Sequence, residues 1–506
     1  MTFDTIPESL RNPVIAIEIG DPLGTGAAQK TSVIMGQKLA SGTGAVNVPV
    51  QIFSADDAAI LGGVGSQLHR EVIAYLANDR TPEELLVVPL AAGVAAGAAS
   101  KTYTLSFSTG TTLTESGRLS LCVGGRDAVV NLIAGQSIAD IGDAVEAVFG
   151  ATESAAVALG SLYPVTCANT GGALAFTARD AGACGNDIRI TINYWGATAG
   201  EKFPGNLTCD VVDGYLTGGT GVPDLTVAFT ALDPLPVFAL FEGSYSSAEL
   251  IEKKSEFASR WDYDVATYGG HYCGVVKATL AELLGSGSIE DSLQNDWHAV
   301  CAAMAKGRNP SEEFGAAYMG ACVASLRSDP SRPIQTVAVK GMAPIRKADR
   351  LRAADLESLT AGGFATVGYD VTGAPIVSLE RTTMLTSSTG TPISGGEAVQ
   401  YPYCMQYIAE DTRSTLSAEY PRSKLVDDAS RVAEGVDAVD TLEIKATIAR
   451  RIRAWELAGI VENADAIIAD LVVVRNAANR NRVDIAFGPD LANQLRVMAL
   501  RITPRI

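Results

Sequence analysis

Residues 31–36 read TSVIMG, and residues 51–62 read QIFSADDAAILG. The first reads as a buried strand. The second starts as a strand and turns into a helix at Ser54. The Ser54 hydroxyl is placed to accept an amide of the first turn, and Asp57 stands at the third helical position to answer it. A buried strand followed by a capped helix is the unit of a sheet with helices on its faces. That unit recurs outward along the chain. Ser66 is placed to cap QLHREVIAYLAN, and ELLVVPLA is the next strand. After residue 225, PVFALFEG reads as a strand and SSAELIEKKSEFASRW as a helix. In NPSEEFGAAYMGACVASLRS, Asn309 suits the N-cap, Pro310 the first helical position and Glu313 the first turn. The alternation predicts an α/β domain with a parallel or mixed sheet.

Residues 96–221 differ. KTYTLSFSTG, RLSLCVGGRDAVVNL, ALAFTARD and DIRITINYW are short strands rich in Thr, Val and Gly, with one helix, SIADIGDAVEAVFG, among them. They predict a small β-rich domain inserted between the two halves of the α/β domain, residues 23–95 and 222–345. Insertions are tolerated where the scaffold's chain ends meet at the surface. From 346 to 482 the pattern predicts an α+β domain. ADLESLTAGG is a helix closed by Gly362 or Gly363, and FATVGYDVTGAPIVSLERTT a hairpin turning near Thr372-Gly373. DTLEIKATIARRIRAWELAG is an amphipathic helix with Ile444, Ile448, Ile452 and Trp455 as its buried stripe. Arg450, Arg451 and Arg453 lie largely off that stripe. ADLVVVR, containing Leu471, Val472, Val473 and Val474, is a further strand.

With 506 residues the chain has room for roughly three domains. A formal net charge of −18 disfavours nucleic acid and anionic membranes. The eight cysteines form no C-x-x-C pair and sit in runs such as SLCVG and GACVAS, as buried reduced thiols do. The opening residues have neither a basic region nor an apolar run, so no signal peptide is expected. No apolar run reaches the roughly 20 residues of a membrane span, and the expected folding compartment is a reducing cytoplasm.

Motifs for chemistry are missing from the sequence. There is no G-x-x-x-x-G-K-[ST], no G-x-G-x-x-G after a strand and no H-E-x-x-H. His69 lies in a predicted helix at an expected surface or edge position. His271, with Asp262, Asp264, Ser286 and Ser288, offers the pieces of a Ser-His-Asp set, but nothing in the spacing fixes a base, a nucleophile and an oxyanion hole together. The expectation is a protein that is not an enzyme, with no cofactor and no metal.

Both chain ends are apolar and strand-competent, where ends are ordinarily polar. PVIAIEIG presents Val14, Ile15, Ile17 and Ile19. RVDIAFGPDLANQLRVMALRITPRI presents Leu495, Val497, Met498, Leu500 and Ile502. Such strands either pair within their own chain or complete a neighbour's sheet. The residues alone leave both open.

The C-terminal third carries a resemblance. GGFATVGYDVTGAPIVSLERTTM, DTRSTLSAEYPRSKLVDD, VENADAIIADLVVVRN and RVDIAFGPDLANQLRVMALRI, in that order, resemble contractile phage tail sheath proteins of Mu-like phages. The opening FDTIPESLRNPVIAIEIG and the insertion's GRLSLCVGGRDAVVNLIAGQS and ARDAGACGNDIRI fit as well. The resemblance implies a subtilisin-like α/β core without a protease site, carrying its insertion on the outside, and an inner C-terminal domain. It further implies extended arms at residues 1–22 and 483–506. By the same resemblance the function is structural. Subunits stack as six-fold rings around a tail tube protein, bounded by baseplate and tail terminator proteins. They contract to drive the tube through a bacterial envelope, with neither nucleic-acid binding nor membrane insertion. Assembly would take place in the host cytoplasm, and the product would be a virion tail. A phage-derived bacteriocin or injection device fits equally, and a hydrolase on a subtilisin-like scaffold is the more distant alternative. The arm residues named above would exchange between subunits, Leu471–Val474 would receive a strand, and Arg450, Arg451 and Arg453 would face either the tube or acidic neighbours in the sheath.

Overall fold

The structure, a computed structural model, describes residues 30–503 apart from 234, 245–246, 263–268, 277–279, 286–288, 305, 388, 394–396, 429, 432 and 434. The first half of the main sheet holds β1 (Thr31–Gln37), β2 (Val50–Gln51), α1 (Ala55–Gly62), α2 (Gln67–Leu76) and β3 (Glu84–Leu90). An insertion follows, with β4 (Ser100–Phe107), β5 (Gly117–Val123), β6 (Arg126–Leu132), α3 (Ile138–Phe149), α4 (Glu153–Ala158), β7 (Val165–Thr170), β8 (Ala173–Ala178), β9 (Arg189–Ile192), β10 (Leu207–Cys209) and β11 (Asp213–Tyr215). The chain then returns through α5 (Thr226–Leu232), β12 (Ala239–Phe241), α6 (Ser247–Ser259), β13 (Gly270–Val276), α7 (Leu280–Leu283), β14 (Ala299–Met304), α8 (Ser311–Ser328), α9 (Ala353–Ala361), β15 (Ala365–Tyr369) and β16 (Pro375–Leu379). The last stretch contains α10 (Gln400–Glu419), β17 (Lys424–Leu425), β18 (Ala438–Val439), α11 (Thr441–Leu457), α12 (Ala464–Asp470), β19 (Val472–Arg475) and β20 (Val483–Ala486).

The main sheet has eight strands in the order β16-β15-β14-β13-β12-β1-β3-β2. From β15 to β3 every pairing is parallel, and each edge strand is antiparallel. Its strands alternate between two apolar layers. Ile34, Tyr272, Val300 and Ala302 face α1, α2 and α8. On the other face, Val33 and Met35 meet α5 and α6, while Cys273 and Cys301 meet α6, α7 and α9. All seven residues of β1 are buried, as a strand covered on both faces requires.

The helix starts follow from their sequences. Ser54 and Asp57 form the reciprocal capping box of α1, and the Ser66 hydroxyl accepts from His69 N. Two expectations move. The N-cap of α8 is Pro310, one residue later than expected. Asn309 is occupied elsewhere, its side-chain oxygen accepting from Ala343 N at 2.8 Å. His69, expected at a surface or edge, is buried, and its Nδ1 accepts from Gly65 N at 3.0 Å. Burial moves its pKa down to about 4. The cause is the insertion, whose Asp180 and Arg179 close over this end of α2.

The insertion is two four-stranded sheets, β10-β4-β8-β7 and β11-β9-β5-β6, around one apolar core that α3 joins. Charged side chains bond it to the main sheet's layer. Arg70 donates to Asp180 at 2.9 Å and to Glu313 at 2.7 Å, and Arg126 reaches the same Glu313 at 2.9 Å. Arg308 lies 4.6 Å from the Tyr194 ring and also pairs with Asp127. Burial pushes the neighbouring Glu312 carboxyl up to about 8. An open α/β sheet offers a ligand crevice where its strand order reverses, here between β1 and β12. The insertion meets that end of the sheet, with Gln37 Nε2 of β1 3.6 Å from Cys184 Sγ.

The hairpin β15–β16 turns at Asp370–Gly373 as expected, and Gly373 takes the left-handed φ of 92° that the turn needs. Its place differs from the expected one. The sequence reading put residues 346–482 in a separate domain, whereas β15 pairs in parallel with β14 and carries the main sheet to Leu379. A hairpin's pattern specifies its own two strands and not the third strand beside it. The last apolar core gathers α10, α11 and α12 with β19 and β20, around Ile444, Ile448, Ile452 and Trp455.

Candidate assembly interface

The C-terminal cluster is built from short pieces that leave strand edges open. α11 buries its Ile and Trp stripe, and Trp455 Nε1 donates to Asp411 on α10 at 2.7 Å. Beyond α12 the chain turns into β19, which pairs antiparallel with β20 through Val472↔Ala486 and Arg475↔Val483. β17 and β18 form a second two-stranded ribbon. Among the described residues neither ribbon has a third strand. A cleft of about 270 Å³ lies beside them, lined by Val426, Asp427, Asp428, Thr441, Val473, Val474 and Arg475. Arg475 bridges the ribbons, donating to Asp427 at 2.7 Å.

The residues expected to receive a strand divide. Leu471 and Val473 are buried in the cluster, whereas Val472 and Val474 are 43% and 42% exposed. The tail divides too. Val483–Ala486, read from sequence as the start of an arm, pairs inside its own chain as β20, and Phe487 stacks on Trp455 at 6.0 Å. The reason is the alternation itself: Val483, Ile485 and Phe487 pack partly into the cluster. Leu491 still bridges to Val461, and Arg496 pairs with Glu380 at 2.9 Å. Beyond that point Val497, Met498, Leu500 and Ile502 are 81–83% exposed, with no strand partner among the described residues. Leu495, also assigned to the exchanging arm, is exposed but tethered through its carbonyl to Gln335. Val14, Ile15, Ile17 and Ile19 lie outside the described residues.

The three arginines of α11 each hold a carboxylate of their own chain. Arg451 grips Asp411 with two bonds, at 2.6 and 2.7 Å, and so ties α11 to α10. Arg450 pairs with Glu419, and Arg453 with Asp465 at 3.1 Å, both at exposed positions. Exposed pairs of this kind contribute little to stability and remain available to another surface.

Of the pieces of the Ser-His-Asp set, the structure describes His271 and Asp262. His271 is buried on β13 against the Phe257 ring, 5.0 Å away, and 3.9 Å from Asp296. Burial moves its pKa down to about 3. Asp264, Ser286 and Ser288 lie outside the described residues, and Asp262 follows the end of α6. Among the described residues no cluster of His, Cys, Asp or Glu is arranged to hold a metal. No helix there is long and apolar enough to cross a membrane. The seating of Arg496 on Glu380 was not anticipated. Its signals were an arginine interrupting the apolar run LRVMAL and a glutamate just after a strand in SLERTT.

Residues 397–505 match the phage tail sheath C-terminal domain. The whole chain is 26% identical, over 99% of its length and 98% of the relative's, to the Mu-like prophage FluMu tail sheath protein of Haemophilus influenzae. Among solved structures, a sheath tail protein from Listeria innocua aligns at TM-score 0.48 and 16% identity, over 92% of this chain and 93% of that one. The contracted helical sheath of the anti-feeding prophage aligns at TM-score 0.45 and 9% identity, covering 99% of this chain and 100% of that one. The domain match falls on the same residues that hold the open ribbons and the exposed tail, and the full-length relative extends the likeness to both ends: the chain is similar to phage tail sheath proteins along its length, and its C-terminal residues 397–505 match their C-terminal domain.

Proposed function

We propose that this chain is the structural subunit of a contractile tail sheath. Copies polymerise as stacked six-fold rings around a tail tube and contract to drive that tube through a bacterial envelope. One observation carries the reading: an apolar tail, Val497–Ile502, stands exposed on a chain that also keeps two open ribbons beside a cleft. A solvent-exposed apolar strand and an unpaired edge are hazards in a monomer and joints in a polymer. The tail of one subunit adds to the β17 or β19 edge of the next, where Val472 and Val474 supply the exposed side chains. The N-terminal residues Val14–Ile19 make a second such joint. Main-chain hydrogen bonds then link rings that rotate and slide without separating.

The other assignments are proposals that go with this one. The eight-stranded sheet is the subtilisin-like core, residues 96–221 ride outside, and the C-terminal cluster faces inward. Arg450 and Arg453 exchange their exposed carboxylate partners for acidic groups of the tube protein, because such pairs break easily during contraction. Arg451, engaged twice by Asp411, serves the cluster first. Baseplate and terminator proteins close the two ends of the polymer. Contraction takes its energy from a metastable packing set at assembly and held by a kinetic barrier. The product is a virion tail built in the host cytoplasm.

Negative-stain microscopy of the purified chain tests the reading. Tubes or stacked rings are expected. A monodisperse monomer at high concentration would sink it.

A further inference from the structure

The exposed tail has a root, and the root lies on a different layer from the C-terminal cluster. Asp490 O accepts from Glu462 N, and Ala492 N donates to Ile460 O, both within that cluster. The next residues cross to the main sheet's layer. Gln494 Nε2 donates to Ser331 O at 3.4 Å, and Leu495 O accepts from Gln335 Nε2 at 2.9 Å. Arg496 then donates through Nη2 to Glu380 Oε1 at 2.9 Å. Glu380 follows β16, and its side chain is fully buried. Gln400 Nε2 donates to the same oxygen at 2.6 Å. The neighbouring Arg381 does not serve Glu380, because its guanidinium is spent on the carbonyls of Thr360, Thr382 and Met384. Among the described residues Arg496 is therefore the only cation paired with this buried carboxylate.

We propose that Arg496 is a clamp. Its guanidinium, seated on buried Glu380, fixes the point where the C-terminal arm leaves the subunit. Load applied to residues beyond 496 then passes into the eight-stranded sheet. The inference rests on the sheath reading for the source of that load. The physical argument is one of order. Single hydrogen bonds such as those at Asp490, Ala492 and Leu495 open one after another when a strand is peeled from its end. The Arg496 pair stands last in the row and meets the pull first. Withdrawing Arg496 would strand a carboxylate in the interior, and that is the costly way to break a buried pair. The arm is thus free from Val497 outward and stays bound before it, which sets its reach to a neighbour.

Hydrogen exchange on the full chain tests the clamp. In Arg496→Gln, the amides of Ala492 and Glu462, whose hydrogen bonds hold the root, should exchange roughly 100-fold faster than in the wild type, while amides of β1 and β14 keep their protection. Glu380→Gln leaves the arm's own sequence intact and should speed the same amides. It carries the test if Arg496→Gln disturbs the whole chain. Unchanged exchange at Ala492 and Glu462 in both variants would overturn the clamp. A uniform rise across the main sheet in both would overturn it too, since the pair would then be serving the core and not the arm. A wild-type chain that never polymerises would sink the sheath reading while leaving the exchange result standing.

Discussion

β1 and β19 are close in character and opposite in fate. TSVIMGQ and VVVR are both short apolar strands. β1 has β12 on one side, β3 on the other, and helices over both faces. Among the described residues β19 has one partner, β20, and its Val472 and Val474 are exposed. The difference lies in what surrounds each strand and hardly at all in its residues. A strand sealed inside its own subunit makes the fold. A strand with a free edge and exposed valines is, in the proposed assembly, finished by another chain. The sealed region should answer to mutation in subunit stability, and the open region in assembly.

The largest effect is expected in the sealed region. Phe314 is fully buried where α8 meets the main sheet, so Phe314→Ala should destabilise the subunit by about 3–5 kcal/mol. Denaturant unfolding of the purified chain measures this, and a shift under about 1 kcal/mol would mean that α8 is not part of the core. A comparable effect is expected at the seam with the insertion. Arg70→Met leaves Asp180, Glu312 and Glu313 without their shared cation and should cost about 3–5 kcal/mol. If it proves neutral, the insertion is held by its apolar contacts and the charges are passengers.

Acidity sharpens the comparison, because His271 and Glu312 are buried in the sealed region. His271 has a folded pKa lowered by burial to about 3. Its contribution is present above the unfolded pKa, near 6.5, and is lost as pH falls from there towards about 3. Glu312 runs the other way. Its folded pKa is raised by burial to about 8, so its neutral form favours folding at low pH and that contribution is lost between about 4.5 and 8. Unfolding midpoints followed from pH 4 to 9 should therefore fall at both ends. His271→Gln should flatten the acid limb, and Glu312→Gln the alkaline one. An acid limb of unchanged steepness in His271→Gln would show that other groups set it. A smaller effect is expected at a helix start. Ser54→Ala removes the capping hydroxyl from Asp57 N and should cost about 1 kcal/mol.

The same contrast separates what could be read from the sequence from what could not. β1 and α1 were legible because a local pattern decides them: a buried run, then a Ser with Asp three residues on. The insertion stood out because its strand vocabulary changes near residue 96. Pairing across long distances was not legible. Nothing in FATVGYDVTGAPIVSL says that β14 waits beside it, so the hairpin was assigned away from the sheet it extends. His69 looked peripheral because a helix's own pattern does not show that Asp180, more than a hundred residues later, will cover it. In the tail, alternation was read correctly and its partner was not. Val483–Ala486 turns back on β19, and the exposed arm begins only after Arg496.

The smallest effect on the subunit is expected in that arm. Leu500 is 83% exposed among the described residues, so a charge there disturbs no packing they make. Leu500→Asp should thus change subunit stability by no more than about 0.5 kcal/mol. In a neighbour's sheet the same side chain would be covered, and a buried carboxylate without a partner is costly there. The two regions then part company in one experiment. Phe314→Ala weakens the subunit and reduces tubes only by lowering the amount of folded protein. Leu500→Asp leaves folded subunits at wild-type levels and removes the tubes. If Leu500→Asp instead unfolds the chain, the arm packs within its own subunit and the joint lies elsewhere. If it folds and polymerises as the wild type does, the exposed face of the arm is not what the neighbour covers.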